Sequence, residues 1–88
     1  MIVRKVKIQN KMGLHARPAA QFVKVASKYK SDVYLSKNNR EINGKSIMGV
    51  MMLAAEMGSE LIIKADGVDE QMVIDELVSL INRKFDEE

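Results

Sequence analysis

The segment GLHARPAA, residues 13–20, holds the chain's one histidine, His15, two positions ahead of Arg17 and three ahead of the one proline, Pro18. Proline fits the first turn of a helix, where its missing N–H leaves no bond unmade. His15 therefore stands at a helix entrance, not within an apolar stripe. A helix N-terminus presents unpaired N–H groups and partial positive charge, which suits an anion, and here the backbone of Ala16 and Arg17 would supply the cradle. The Arg17 guanidinium adds a fork that fits phosphate oxygens. A free imidazole has a pKa of about 6.5 and is mostly neutral at pH 7, so it is nucleophilic without a separate base. Nucleophile, anion cradle and cation thus fall within three residues. Such a set can accept a phosphoryl group, because that transfer depends mainly on positioning and charge stabilisation. A lone histidine at a helix start is ordinarily a surface residue whose protonated form the dipole disfavours. Here the neighbours carry the case for chemistry.

Other chemistries lack their residues. GKS at 44–46 resembles the end of a phosphate-binding loop, but the required GxxxxGK[ST] would place glycine at 39, where Asn39 stands. No cysteine is present, which removes disulfides, thiolate nucleophiles and Cys-type zinc sites. One histidine among scattered carboxylates gives no metal-ligand spacing, so no metal and no cofactor is expected. A chain with these features could carry a phosphoryl group without being able to generate one.

The elements that must position His15 follow from the periodicity. Ile2, Val3, Val6 and Ile8 with Arg4, Lys5 and Lys7 between them read as a strand. Asn10 to Gly13 is a turn. From Pro18, the residues Ala19, Ala20, Phe22, Val23, Ala26 and Tyr29 form a stripe at helical spacing that ends near Lys30-Ser31. Val33 and Leu35 alternate with polar neighbours in a second strand, Asn38-Asn39 marks a hairpin, and Ile42 lies in a short return strand. Ser46 is a good N-cap for a helix through IMGVMMLAAEM, with Gly58 as its stop and Gly49 as a weakness. Leu61, Ile62, Ile63 and Ala65 form a fourth strand. Asp69 can cap a last helix with Val73, Ile74, Leu77, Val78 and Ile81 on its core face. The order βαββαβα is α+β, with helices covering one face of a mostly antiparallel sheet.

Size and composition set the class. Eighty-eight residues, 47% hydrophobic and 30% charged, make one globular domain spanning 1–88. A net charge of +2 does not by itself imply nucleic acid. The βαββαβ order also serves RNA-recognition modules, but these stack bases on aromatic residues of the central strands. The third strand, REINGK, has none, and of the two Phe and two Tyr only Tyr34 falls on a strand. RNA binding is therefore disfavoured. No apolar run approaches the roughly 20 residues of a membrane span, and the charged start is unlike a signal peptide. A cytoplasmic protein without membrane insertion is expected.

GLHARPAAQFV and NGKSIMGVMMLAAEMG together resemble the HPr family, the histidine-containing phosphocarriers of the bacterial phosphoenolpyruvate-dependent sugar phosphotransferase system. The resemblance spans essentially the whole chain, and the two motifs in combination are highly specific. It implies an open-faced β-sandwich, a four-stranded antiparallel sheet backed by helices. It further implies that His15 is phosphorylated on Nδ1, the pros-phosphohistidine, by Enzyme I and hands the group to sugar-specific EIIA acceptors. Arg17 matches the arginine that stabilises the phosphate. Ala16 and SIMGVM are similar to the Gram-positive type, in which Ser46 is a regulatory phosphorylation site. That implies an HPr kinase/phosphorylase and a catabolite-control transcription regulator as further partners, with the carrier itself a monomer and not a stand-alone enzyme. A regulatory paralogue lacks the histidine, so its presence implies the full carrier. A nitrogen-related branch of the system is the alternative, with SIMGVMM favouring the sugar branch.

The second motif has more apolar residues than one short helix face can bury. Val50 and Leu53 are expected in the core. Ile47, Met48 and Met51 are expected partly exposed as a docking patch, since flexible thioethers suit a surface that fits several partners. Lys24, Lys28 and Lys45 would form a basic rim that steers acidic partners, although a plain solvated face accounts for any one of them.

Overall fold

The computed structural model describes residues 1–87. Alternation of side chains builds the sheet. In β1 (Ile2–Lys7), β2 (Asp32–Lys37) and β4 (Glu60–Asp66), Val6, Val33, Leu35, Leu61, Ile63 and Ala65 point to the buried face. Val3 and Ile62 stand on the open one, where Lys64 pairs with Glu41 at 2.9 Å. β3 (Arg40–Asn43) completes an antiparallel sheet in the order β1-β4-β2-β3. Asn38 and Asn39 turn the β2–β3 hairpin with φ of 52° and 67°, the left-handed pair that a two-residue type I′ loop needs.

Three helices cover one face, giving the α+β open-faced sandwich. α1 (Ala16–Ser27) buries Pro18, Ala19, Phe22 and Ala26. Ala20 is exposed, Val23 is half-buried, and Tyr29 lies beyond the helix end, so the stripe is narrower than the sequence pattern implies. α3 (Glu70–Asn82) buries Val73, Ile74, Leu77, Leu80 and Ile81, with Leu80 in place of the expected Val78, which is half-buried. Phe85 is not helical. Lys84, Phe85 and Asp86 form a left-handed turn (φ 59°, 55° and 58°) that inserts the Phe85 ring, 1% exposed, into the core.

Two further expectations change. α2 (Ile47–Met52) stops well before Gly58. Leu53 closes it and Ala54 turns left-handed (φ 51°), which frees the Ala55 carbonyl to accept from the Leu14 N–H at 2.8 Å. Gly58 sits instead in the turn entering β4, where its N–H donates to Ile8 O. Asp69 precedes α3 but its side chain makes no cap bond. Its carboxylate accepts from the Ser31 hydroxyl (2.5 Å), the Ser31 N–H (2.9 Å) and the Lys30 N–H (2.9 Å), pinning the α1–β2 turn to the start of α3. The Ser31 hydroxyl foremost, then the Lys30 N–H, holds this carboxyl down at about 2.

Candidate functional site

The loop between β1 and α1 is built to present His15. Buried Asn10 accepts the Gly13 N–H on its carbonyl (3.1 Å) and donates from Nδ2 to the Gly13 carbonyl (2.8 Å). Gly13 has φ +70°, and a Cβ there would lie 2.5 Å from Ala55 O and 2.8 Å from Glu56 Cα. Only glycine lets the two backbones approach closely enough for the Leu14–Ala55 bond. Leu14, 5% exposed, anchors in the core, and the next residue, His15, emerges 38% exposed at its side chain.

His15 is the N-cap of α1, with extended backbone (φ −76°, ψ −172°) and no side-chain cap bond. Its carbonyl receives the Ala19 N–H at 3.0 Å. Pro18 has no N–H, so the donors left at this helix end are Ala16 and Arg17, the two expected from the sequence. No acidic side chain occupies the first turn to compete for them. Arg17 is exposed and takes part in no ion pair or hydrogen bond among the described residues. Together with Lys11, Met12, Asp86 and Glu87, His15 and Arg17 line a cleft of about 260 Å³. The helix end, the imidazole and the unpaired guanidinium thus border one opening large enough for a phosphoryl group.

Two residues that sequence reasoning missed complete the site. The Glu87 carboxylate approaches His15 Nε2 at 2.8 Å through Oε2 and accepts from Asn10 Nδ2 at 2.9 Å through Oε1. An ionised carboxylate only accepts, so Nε2 carries a ring hydrogen, and in the neutral ring that leaves Nδ1 without one. Glu87 is 72 positions from His15 and follows a turn with no local sequence signature. Asn10 reads in the sequence as one more turn residue.

Ser46 caps α2, its hydroxyl accepting from the Gly49 N–H at 3.1 Å and its carbonyl from the Val50 N–H at 3.0 Å. Val50 is fully buried and Leu53 4% exposed, whereas Ile47 (41%), Met48 (65%) and Met51 (39%) face out. Met51 also lines a second depression beside His15, with Met12, Ala16 and Ala54. Met12 and Met57 add exposed thioethers that the sequence reading did not single out. Two of the three lysines of the proposed rim are tethered: Lys28 pairs with Glu76 at 2.6 Å, and Lys45 donates to the Tyr29 carbonyl at 2.8 Å. No helix among the described residues is long and apolar enough to cross a membrane.

Comparison with known proteins places this geometry. Residues 2–83 match the family model described as the PTS HPr component phosphorylation site. The chain is 46% identical over 87 residues to phosphocarrier protein HPr of Neisseria meningitidis, covering 99% of this chain and 98% of that protein. It superposes on HPr from Thermoanaerobacter tengcongensis with a TM-score of 0.97 at 48% identity, covering 100% and 99% of the two chains. A second structure from that organism, an HPr dimer, has a TM-score of 0.78 at 49% identity over 91% and 92% of the chains, so the comparisons do not support the expected monomer. With the open-faced sandwich, a histidine at the entrance of α1 and a family match over nearly its full length, this chain belongs to the HPr family of phosphocarrier proteins of the phosphotransferase system, carriers and not stand-alone enzymes.

Proposed function

We propose that this chain accepts a phosphoryl group on Nδ1 of His15 from phosphorylated Enzyme I, ultimately from phosphoenolpyruvate, and passes it to EIIA acceptors in the cytoplasm. The observation that carries this reading is His15 at a helix entrance with Nε2 against Glu87, in one cleft with an Arg17 that has no partner among the described residues. As the donor's bond to phosphorus breaks, the Nδ1 lone pair forms the N–P bond. Negative charge on the three phosphoryl oxygens then meets the Ala16 and Arg17 N–H groups and the Arg17 guanidinium. The exposed Ile47, Met48 and Met51 support a docking role for the face beside this cleft, where both Enzyme I and the acceptor would bind in turn. Ser46 lies at the edge of that face. Its phosphorylation by an HPr kinase/phosphorylase would place a dianion where the partners need apolar contact, and would create a signal for a catabolite-control regulator. Carriage as a monomer is part of the same proposal.

Incubation with phosphoenolpyruvate and a purified Enzyme I tests it. One phosphoryl group should be added, labile in acid, stable in base and absent from His15→Ala. A modification that survives acid points to a hydroxyl and overturns the assignment. Arg17→Ala should melt like wild type and accept phosphate about tenfold more slowly, as expected for one lost charge-assisted contact. Transfer at the wild-type rate at low salt would reduce Arg17 to a surface charge.

A further inference from the structure

The carboxylate of Glu87 bridges two parts of the site that lie far apart in sequence. Oε1 is held by Nδ2 of Asn10, a residue with no exposed surface, and Oε2 meets Nε2 of His15. The Glu87 side chain is 14% exposed, well below the 38% of His15. The approach of the chain to this position is enforced. Lys84, Phe85 and Asp86 all adopt left-handed backbone, a conformation unfavourable for L-residues, and burial of the Phe85 ring holds them there. The turn is closed by Asp86 N–H to Arg83 O (3.0 Å) and Glu87 N–H to Lys84 O (3.1 Å). A strained, anchored turn that ends with a carboxylate on the imidazole is more than a frayed terminus brushing the surface.

Deepening the carrier reading and resting on it, we propose that Glu87 is a positioning residue that keeps the proton on His15 Nε2 throughout the phosphoryl cycle. Before transfer, the bond to Glu87 holds the hydrogen on Nε2 and leaves the Nδ1 pair for attack. On transfer, the pair of the breaking donor–phosphorus bond stays with the donor, the Nδ1 pair forms the N–P bond, and the ring, still bearing the Nε2 hydrogen, becomes a phosphoimidazolium. Glu87 neutralises that positive charge. When the acceptor attacks phosphorus, the N–P pair returns to Nδ1 and a neutral imidazole departs, a far better leaving group than the imidazolate that would depart had Nε2 lost its proton. His15 neither gains nor loses a proton in either step. The other charged groups around the imidazole are Lys11, Arg17 and Asp86 in the shared cleft and Glu56 on the opposite flank. Arg17 and Glu56 make no hydrogen bond to the ring among the described residues, and Asp86 is paired with Arg83 at 3.1 Å.

Glu87→Gln in the full chain is the test, because it keeps the shape while presenting an amide donor to either Asn10 Nδ2 or His15 Nε2. In the unphosphorylated protein, two-bond 1H–15N spectra above the imidazole's titration should show one tautomer, with hydrogen on Nε2. E87Q and E87A should both gain the Nδ1–H tautomer. In the phosphorylated protein, hydrolysis followed by 31P NMR should be equal for wild type and E87Q near pH 5. Near pH 8 wild type should hydrolyse about threefold faster, the modest factor appropriate to a partly solvated ion pair. Glu60→Gln, an exposed carboxylate at the start of β4 outside this cleft, should change neither readout. Unaltered tautomers with superimposable hydrolysis profiles overturn the proposal, as does an equal change in E60Q. If wild type takes no phosphoryl group on His15, the carrier reading fails, and the tautomer spectra alone still decide whether Glu87 fixes the ring.

Discussion

Replacing Gly13 with alanine tests whether a single close approach sets the position of His15. The added Cβ would lie 2.5 Å from Ala55 O, and opening this to even the tight limit of 3.0 Å requires a shift of 0.5 Å against backbone. The Leu14–Ala55 hydrogen bond, now 2.8 Å, then stretches to the edge of a useful length. Gly58 supplies a control. It too has positive φ (+91°), but nothing lies within 4 Å of its added Cβ. Gly58→Ala therefore costs only the left-handed backbone, about 1 kcal/mol. Gly13→Ala adds the weakened bond and the strain of separating two backbones, for about 3 kcal/mol in total. In a domain of this size those costs lower Tm by about 4–8 °C and 12–24 °C respectively. A half-ångström displacement of the His15 loop should also slow phosphorylation about tenfold, since misplacement by 1 Å costs about a hundredfold. Calorimetric melting of both variants, with the rate of phosphoryl acceptance, measures this. If the two melt within about 2 °C of each other, the contact with Ala55 is not what demands glycine at position 13.

Asp69 should make stability pH-dependent in acid. Its carboxyl titrates at about 2 in the folded chain, below the ordinary 3.8, because the Ser31 hydroxyl and then the Lys30 N–H bind the charged form. A depressed folded value stabilises above the unfolded pKa and is lost as pH falls through the folded one. Asp69→Asn should therefore melt lower than wild type at pH 6, with the gap closing between about pH 4 and pH 2; a gap constant with pH would refute this. Ser46→Ala should lower stability by about 1 kcal/mol by removing the cap on Gly49 N–H, with little effect on transfer at His15. Ser46→Asp should melt near wild type yet be phosphorylated more slowly by Enzyme I. Transfer at the wild-type rate in that variant would leave Ser46 as a cap alone.

The parts legible in the sequence are those governed by local rules. Period-two and period-3.6 patterns locate β1, β2, β4, α1 and α3, the Asn38-Asn39 pair marks the turn into β3 through left-handed preference, and Ser46 marks the start of α2 as a cap by residue type. His15 and Arg17 were visible because a proline fixes the helix entrance beside them. What only the tertiary structure decided are features settled by competition between distant groups. α2 ends at Met52 and the left-handed Ala54 aims the Ala55 carbonyl at Leu14, a bond that no propensity within IMGVMMLAAEM can express. Asp69 forgoes its own helix because three donors across the α1–β2 turn outbid one backbone N–H. Phe85 leaves the helical phase to fill the core, and the left-handed turn that this requires swings Glu87 onto the imidazole. The contact of Glu87 with His15 Nε2, across 72 positions of sequence, exists because only the folded backbone brings the two within hydrogen-bond reach.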